Sequence, residues 1–232
     1  MRIHIMIIVI ELLILNYIVC GVTAKGDWEL VFHALSGKGE NVMKTWQTKF
    51  KKECDILNLN SCPCSVKDGC LPLSYRWETA KDQCPKILRS IKVDFWECLN
   101  IQKVKVELIS KEKTVAFVEF DGKGSTYMNW FHKSRVQKSS WPDMRKGGRF
   151  NFFSLNKEAR HGRHFFISKL YHGCPGDSGW FVVMDASGSK PCRWEKQNSY
   201  PQFLYSKDGK VIKWQNMKYG RAEVLNIYIK RA

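Results

Sequence analysis

Of the nine cysteines in this 232-residue chain, Cys20 lies in an apolar leader and the other eight follow it, an even set in what reads as an exported protein. Arg2 and His4 precede an apolar run from Ile5 to Val19, interrupted by Glu11 and Asn16, and Val22-Thr23-Ala24 supplies the small residues at which a signal peptidase cuts. The run is too broken to make a stable membrane span, so residues 1–24 are expected to be a secretory signal peptide, with no transmembrane anchor. Outside the cell, cysteines pair. Cys54, Cys62, Cys64, Cys70, Cys84 and Cys98 crowd one stretch, where many pairings are open, while Cys174 and Cys192 stand apart and are expected to join each other. A Cys-Pro-Cys would suit zinc in a reducing compartment; the leader favours disulfides and no metal. No Asn-x-Ser/Thr sequon occurs, and little N-glycan is expected.

Periodicity then sets the architecture. Trp28, Leu30 and Phe32 alternate with Glu29, Val31 and His33, which predicts a first strand with its core face on the former set. Val42, Met43, Trp46 and Phe50 recur at three- and four-residue steps and predict a short N-terminal helix. Between about residues 50 and 100 periodicity is poor and Pro63, Pro72 and Pro85 interrupt the chain, so a disulfide-rich insertion with little regular structure is expected. Val104, Val106 and Leu108 alternate with polar residues, and an apolar run from Val115 to Phe120 follows, ending at Asp121-Gly122; these predict neighbouring antiparallel strands.

Further strands are predicted at Phe152-Phe153, at His164 to Ser168, and at Trp180 to Met184, the last apolar on both faces and hence central. Phe203 to Tyr205, Asp208-Gly209 and Val211 to Trp214 read as a tight hairpin, and Leu225, Ile227 and Ile229 line one face of a final strand. Many short strands with helix confined to one segment predict a mainly β, antiparallel β-sandwich or jelly-roll, formed as a single domain over residues 25–232.

The charge bears on partners. The chain carries 38 Lys and Arg against 22 Asp and Glu, a net +16. A field of that sign outside the cell attracts sulfated glycans, anionic lipid headgroups and acidic matrix proteins; nucleic acid fits the charge but not the compartment. Two groups concentrate it. Arg145, Lys146 and Arg149 form one, and Arg160, His161, Arg163 and His164 form the other, both close to aromatic residues. Arginine forks grip sulfate or phosphate oxygens, and histidines protonated below about pH 6.5 would add to the attraction. Arg145, Arg149, Arg160 and Arg163 are therefore the expected anion-binding residues, provided that they share a face. Either group alone reads equally as a solvated strand edge.

Two other chemistries have weaker support. Trp130, Trp141, Trp180, Trp194 and Trp214 would suit the stacking surfaces of a carbohydrate-binding, lectin-like domain if exposed, and are core if buried. Gly176-Asp177-Ser178-Gly179 resembles the nucleophile segment of trypsin-like serine proteases, with Ser178 as nucleophile. However, His33 sits in Phe-His-Ala, Trp180 replaces the second glycine expected after the serine, and no activation-site Ile-Val-Gly-Gly occurs. The expectation is a non-enzyme without cofactor. Asp121, Asp143, Asp177 and Asp185 are scattered and do not form a calcium loop.

A longer set of motifs runs through the second half: Asn129-Trp130-Phe131, Ser139-Ser140-Trp141, Phe152-Phe153-Ser154, Arg163 to Ile167, Gly173-Cys174-Pro175-x-Asp177-x-Gly179-Trp180, Cys192-x-Trp194-Glu195, Leu204-Tyr205-Ser206 and Ala222-Glu223-Val224. Their order resembles a secreted cnidarian and mollusc module, that of uncharacterised skeletal organic matrix proteins of corals, over about Val115 to Lys230. The resemblance implies an extracellular matrix or interaction module without established catalysis. It carries no obligatory serine at the position of Ser178, and the cysteine-rich stretch lies outside it.

Overall fold

The computed structural model describes residues 28–49, 87–144 and 152–232. Residues 1–24, Phe50, Cys54, Cys62, Cys64, Cys70, Cys84, Arg145, Lys146 and Arg149 lie outside the described residues, together with the expectations placed on them. The first of two sheets comprises β1 (Glu29–Leu35), β2 (Ile87–Arg89), β3 (Ile101–Ser110), β4 (Lys113–Asp121), β5 (Val136–Ser139) and β12 (Val224–Arg231), in the order β2-β1-β12-β3-β4-β5. The second comprises β6 (Phe152–Ser154), β7 (Arg163–Leu170), β8 (Ser178–Met184), β9 (Gln202–Ser206), β10 (Ile212–Lys213) and β11 (Tyr219–Ala222). Its order is β11-β9-β8-β7-β6, with β10 also on β8. The two sheets form an antiparallel β-sandwich.

Alternation explains the packing. Val104, Val106 and Leu108 of β3, Val118 and Phe120 of β4, and Leu225, Ile227 and Ile229 of β12 are buried against Phe165, Ile167, Phe181, Val183 and Phe203 of the second sheet. β3 and β4 pair directly, Val106 opposite Val118. The intervening residues of the second sheet, Phe166, Val182, Met184 and Leu204, face the other way into a separate core. β8 is thus buried on both faces, and its unbroken apolar run follows from that central position.

Between β1 and β2 in the sequence, α1 (Val42–Gln47) buries Val42, Met43 and Trp46. Asn41 caps it, accepting from Lys44 N at 2.6 Å, and the carboxylate of Asp185 accepts from Val42 N and Met43 N at 2.8 and 2.9 Å. Trp46 meets Phe32, Trp96, Trp130 and Phe165 edge-on at centroid distances of 5.4 to 6.0 Å, and its indole N–H donates to Tyr127 O. Each of these rings contributes about 1.5–3 kcal/mol by burial, with edge-to-face geometry adding to it.

Three expectations need correction. Residues 87–98 are not part of an irregular insertion: β2 pairs with β1, and a 3-10 segment over Ile91–Cys98 buries Val93, Phe95 and Trp96 in the main core. The first strand carries a bulge between Leu30 and Phe32, which breaks the strict alternation. Val31, Phe32, His33 and Ala34 are all buried, whereas Trp28 and Leu30 are half-buried. Nor is there a hairpin across Asp208-Gly209. β9 pairs with Phe181 to Met184 of β8, and β10 pairs with Ser178 and Gly179 in the same sense, so β10 continues the line of β9 after a five-residue excursion, 207–211.

Candidate functional site: a basic layer over the second core

The outer face of the second sheet is covered by the connections between its own later strands, together with Tyr219 of β11. Cys192, Trp194, Trp214 and Tyr219 close over Phe166, Val182, Met184 and Leu204. The indoles of Trp194 and Trp214 stack at 5.3 Å with 25° between their planes. A disulfide from Cys174 to Cys192, the expected pairing, fastens this cover to the turn before β8. Cys98 is disulfide-bonded too.

Arg163 lies inside the cover. Its Nε donates to Glu195 Oε1 at 2.5 Å and its Nη2 to Asp177 Oδ2 at 2.9 Å, while the guanidinium lies 4.7 Å from the Trp194 ring centroid and 5.1 Å from that of Tyr171. Burial works against its charge, but the bond and charge of Glu195, joined by Asp177, hold its pKa above the ordinary value. The expected anion-binding role of Arg163 is therefore corrected: only 3% of the residue is exposed, and its charge is answered from within. His164 is corrected with it. Burial lowers its pKa to about 4, so it stays neutral where an exposed histidine would gain charge. Arg160 is exposed, at the end of a 3-10 turn over Ala159–His161.

The exposed cations lie on the cover itself. From residue 186 to residue 222 the chain presents Lys190, Arg193, Lys196, Lys207, Lys210, Lys213, Lys218 and Arg221, all exposed, against one exposed carboxylate, Asp208, since Glu195 is buried on Arg163. The Trp194–Trp214 stack draws two parts of this series together. Arg221 lies 5.0 Å from the Tyr219 ring centroid and donates to Gln197 Oε1 at 3.2 Å, and Gln197 in turn donates to Trp194 O at 2.6 Å. Arg193 and Lys196 lie one and two residues from Trp194, and Lys218 precedes Tyr219, so all four cations are carried by the segments that form the cover. Neutral groups position Arg221, and among the described residues none of the four forms an ion pair. The backbone of Arg160 and His161 lies against Gly188, where a Cβ would sit 3.0 Å from His161 Cα and 3.3 Å from Arg160 O. Composition alone did not isolate these cations, since no two of them are adjacent in the sequence.

The other sequence candidates are occupied differently. Trp130, Trp141, Trp180, Trp194 and Trp214 are at most 1% exposed and serve as core, not as sugar-stacking surfaces. Asp143 accepts from Trp180 Nε1 and from Val211 N, at 2.7 Å each. Asp177 accepts from His172 N as well as from Arg163, and its backbone carbonyl receives Trp214 N. Ser178, the following residue, is buried at the start of β8, and among the described residues no histidine hydrogen-bonds its hydroxyl. Gly179 permits close approach of β7, for a Cβ there would sit 2.5 Å from Ile167 O. The Gly-Asp-Ser-Gly segment thus anchors the cover to the sheet.

Compared with protein-family models, curated proteins and solved structures, the chain finds no match. Its own geometry defines a β-sandwich protein with a second core and a cover of exposed cations that form no ion pair among the described residues. Among the described residues no helix is long and apolar enough to cross a membrane.

Proposed function

We propose that this protein is a secreted, non-enzymatic matrix or interaction module that attaches to sulfated glycans or acidic extracellular proteins through the basic layer. The observation that carries this reading is the series of exposed cations on the cover, Arg193, Lys196, Lys218 and Arg221 among them, with Asp208 the one exposed carboxylate between residues 186 and 222. The leader, the Cys174–Cys192 disulfide and the motifs shared with skeletal organic matrix modules support an extracellular setting. The burial of Ser178 at the start of β8 supports the non-enzymatic reading.

Heparin-column elution in a salt gradient tests it. Arg193, Lys196, Lys218 and Arg221, all replaced by serine, should bring elution to clearly lower salt than a control in which Lys38, Lys49, Lys111 and Lys113 are replaced instead. Equal shifts would reject the layer as the site. Retention on immobilised poly-aspartate with none on heparin would assign the partner to acidic protein.

A further inference from the structure

Apart from the basic layer, a cleft of about 410 Å³ opens beside β6, within the size range of small-ligand sites. Its lining combines Met128, Phe131 and Phe153 with Asn129, His132 and Lys157, and among the described residues no acidic one lines it. Phe131 is nearly buried and tilts against the half-buried Phe153 at 5.7 Å, which leaves a partly open apolar floor.

The polar groups are turned toward donation. Asn129 Oδ1 is occupied by Thr126 N at 2.7 Å, so the amide keeps its two N–H donors. His132 Nδ1 lies 2.8 Å from Ser134 Oγ and 3.3 Å from Ser134 N, and among the described residues Nε2 has no hydrogen bond. Lys157 N is tied to Ser154 Oγ at 2.7 Å, and its exposed ammonium forms no ion pair among the described residues. Glu158, the next residue, bonds the Tyr171 hydroxyl at 2.5 Å instead of neutralising Lys157. An amide donor, an imidazole and a cation thus surround an apolar floor.

We propose that this cleft binds one anionic sugar unit, a pyranose bearing a carboxylate or sulfate. The C–H face of the ring would lie on the part-exposed Phe153, backed by the buried Phe131, and its oxyanion would receive Lys157, Asn129 and His132. A neutral sugar lacks the charge that Lys157 calls for, and a bare inorganic anion leaves the aromatic floor uncovered. The cleft is separate from the basic layer, none of whose four cations lines it.

The test is a titration of the isotopically labelled, disulfide-intact chain followed by amide NMR, using methyl glucuronide, glucose 6-sulfate, methyl glucoside and sodium sulfate. One or both anionic sugars should shift the amides of Asn129, His132 and Lys157, with methyl glucoside and sodium sulfate weaker by about tenfold or more. Lys157→Glu should weaken binding by about tenfold, and Asn129→Ala, which leaves the charge intact, by a smaller factor. Replacement of the four layer cations should change nothing here, so failure of the layer and failure of the cleft are separable. Equal affinity for methyl glucoside, equal affinity for sodium sulfate, indifference to Lys157→Glu in a chain with native amide dispersion, or no shift of these amides at about 20 mM sugar would each overturn the proposal.

Discussion

Glu195 binds Arg163 through one carboxylate oxygen and its own turn through the other: Oε1 accepts from Arg163 Nε at 2.5 Å, and Oε2 accepts from Cys192 N at 2.5 Å. One side chain therefore couples β7 to the cover and closes the 3-10 turn that carries Trp194. Removing one member of such a buried ion pair leaves the other charge unanswered, at a cost of about 3–5 kcal/mol. Arg163→Met should cost that much in chemical denaturation. Arg163→Met combined with Glu195→Gln, which keeps an acceptor for Cys192 N, should recover part of the loss. If Arg163→Met alone costs under about 1 kcal/mol, the triad does not hold the cover in place.

Asp185 and His164 make opposite demands on pH. His164 Nε2 lies 3.5 Å from Asp185 Oδ2. Burial pushes the Asp185 carboxyl up to about 6, against the pull of Met43 N and Val42 N, and lowers His164 to about 4. For Asp185 the unfolded chain ionises first, so its contribution is full below about pH 4 and is lost as pH rises through about 6. For His164 the unfolded chain takes up its proton first, so its contribution is full above about pH 6.5 and is lost as pH falls through about 4. The slopes oppose one another, and stability measured by denaturant should change little between about pH 4 and pH 6.5 on their account. Asp185→Asn should expose a stability that rises with pH across that window, and His164→Gln one that falls. Parallel slopes in the two variants would contradict this arrangement.

Across 18 residues of sequence, the disulfide from Cys174 to Cys192 restricts the unfolded chain. Replacement of both cysteines by serine should cost about 3 kcal/mol. Hydrogen exchange should quicken first at residues 190–197, while β3, β4 and β12 keep their protection. Uniform loss of protection would mean that the two cores unfold as one.

Gly179 has no room for a methyl group. With a Cβ placed 2.5 Å from Ile167 O and 3.0 Å from Ser168 Cα, Gly179→Ala must push β7 and β8 apart. The expected cost is about 1–3 kcal/mol, read as a lower thermal midpoint. Ser178→Ala, by contrast, removes a hydroxyl without filling space and should cost less. The reverse ranking would assign the Gly-Asp-Ser-Gly segment a role other than packing.

Strand identity was legible wherever one residue's environment repeated at the next equivalent position. Val104 to Leu108 and Leu225 to Ile229 alternate because each strand has one dry face, and Trp180 to Met184 does not alternate because β8 has two. Partner choice was less legible. Asp208-Gly209 marks a reversal in any context, and nothing local states that the chain returns to β8 instead of to β9. The bulge at β1 likewise depends on its pairing with β12.

Arg163 shows the same limit in the site. An arginine beside aromatic residues suits either a sulfate or an internal carboxylate, and its two acids lie 14 and 32 residues away in sequence. The basic layer escaped notice for a related reason. The segments that carry its cations are joined through Trp194 and Trp214, and a ring stack between distant segments leaves no trace in spacing.

The broken line of β9 and β10 leaves the chain extensible at one point. Because both pieces are registered on β8, additional residues at Asp208-Gly209 would lengthen the excursion without displacing a hydrogen bond between strands. Ser206 Oγ bonded to Lys210 O, and Val211 N on Asp143, mark where such growth must stop. A peptide epitope grafted there would ride on the edge of an otherwise unaltered sandwich.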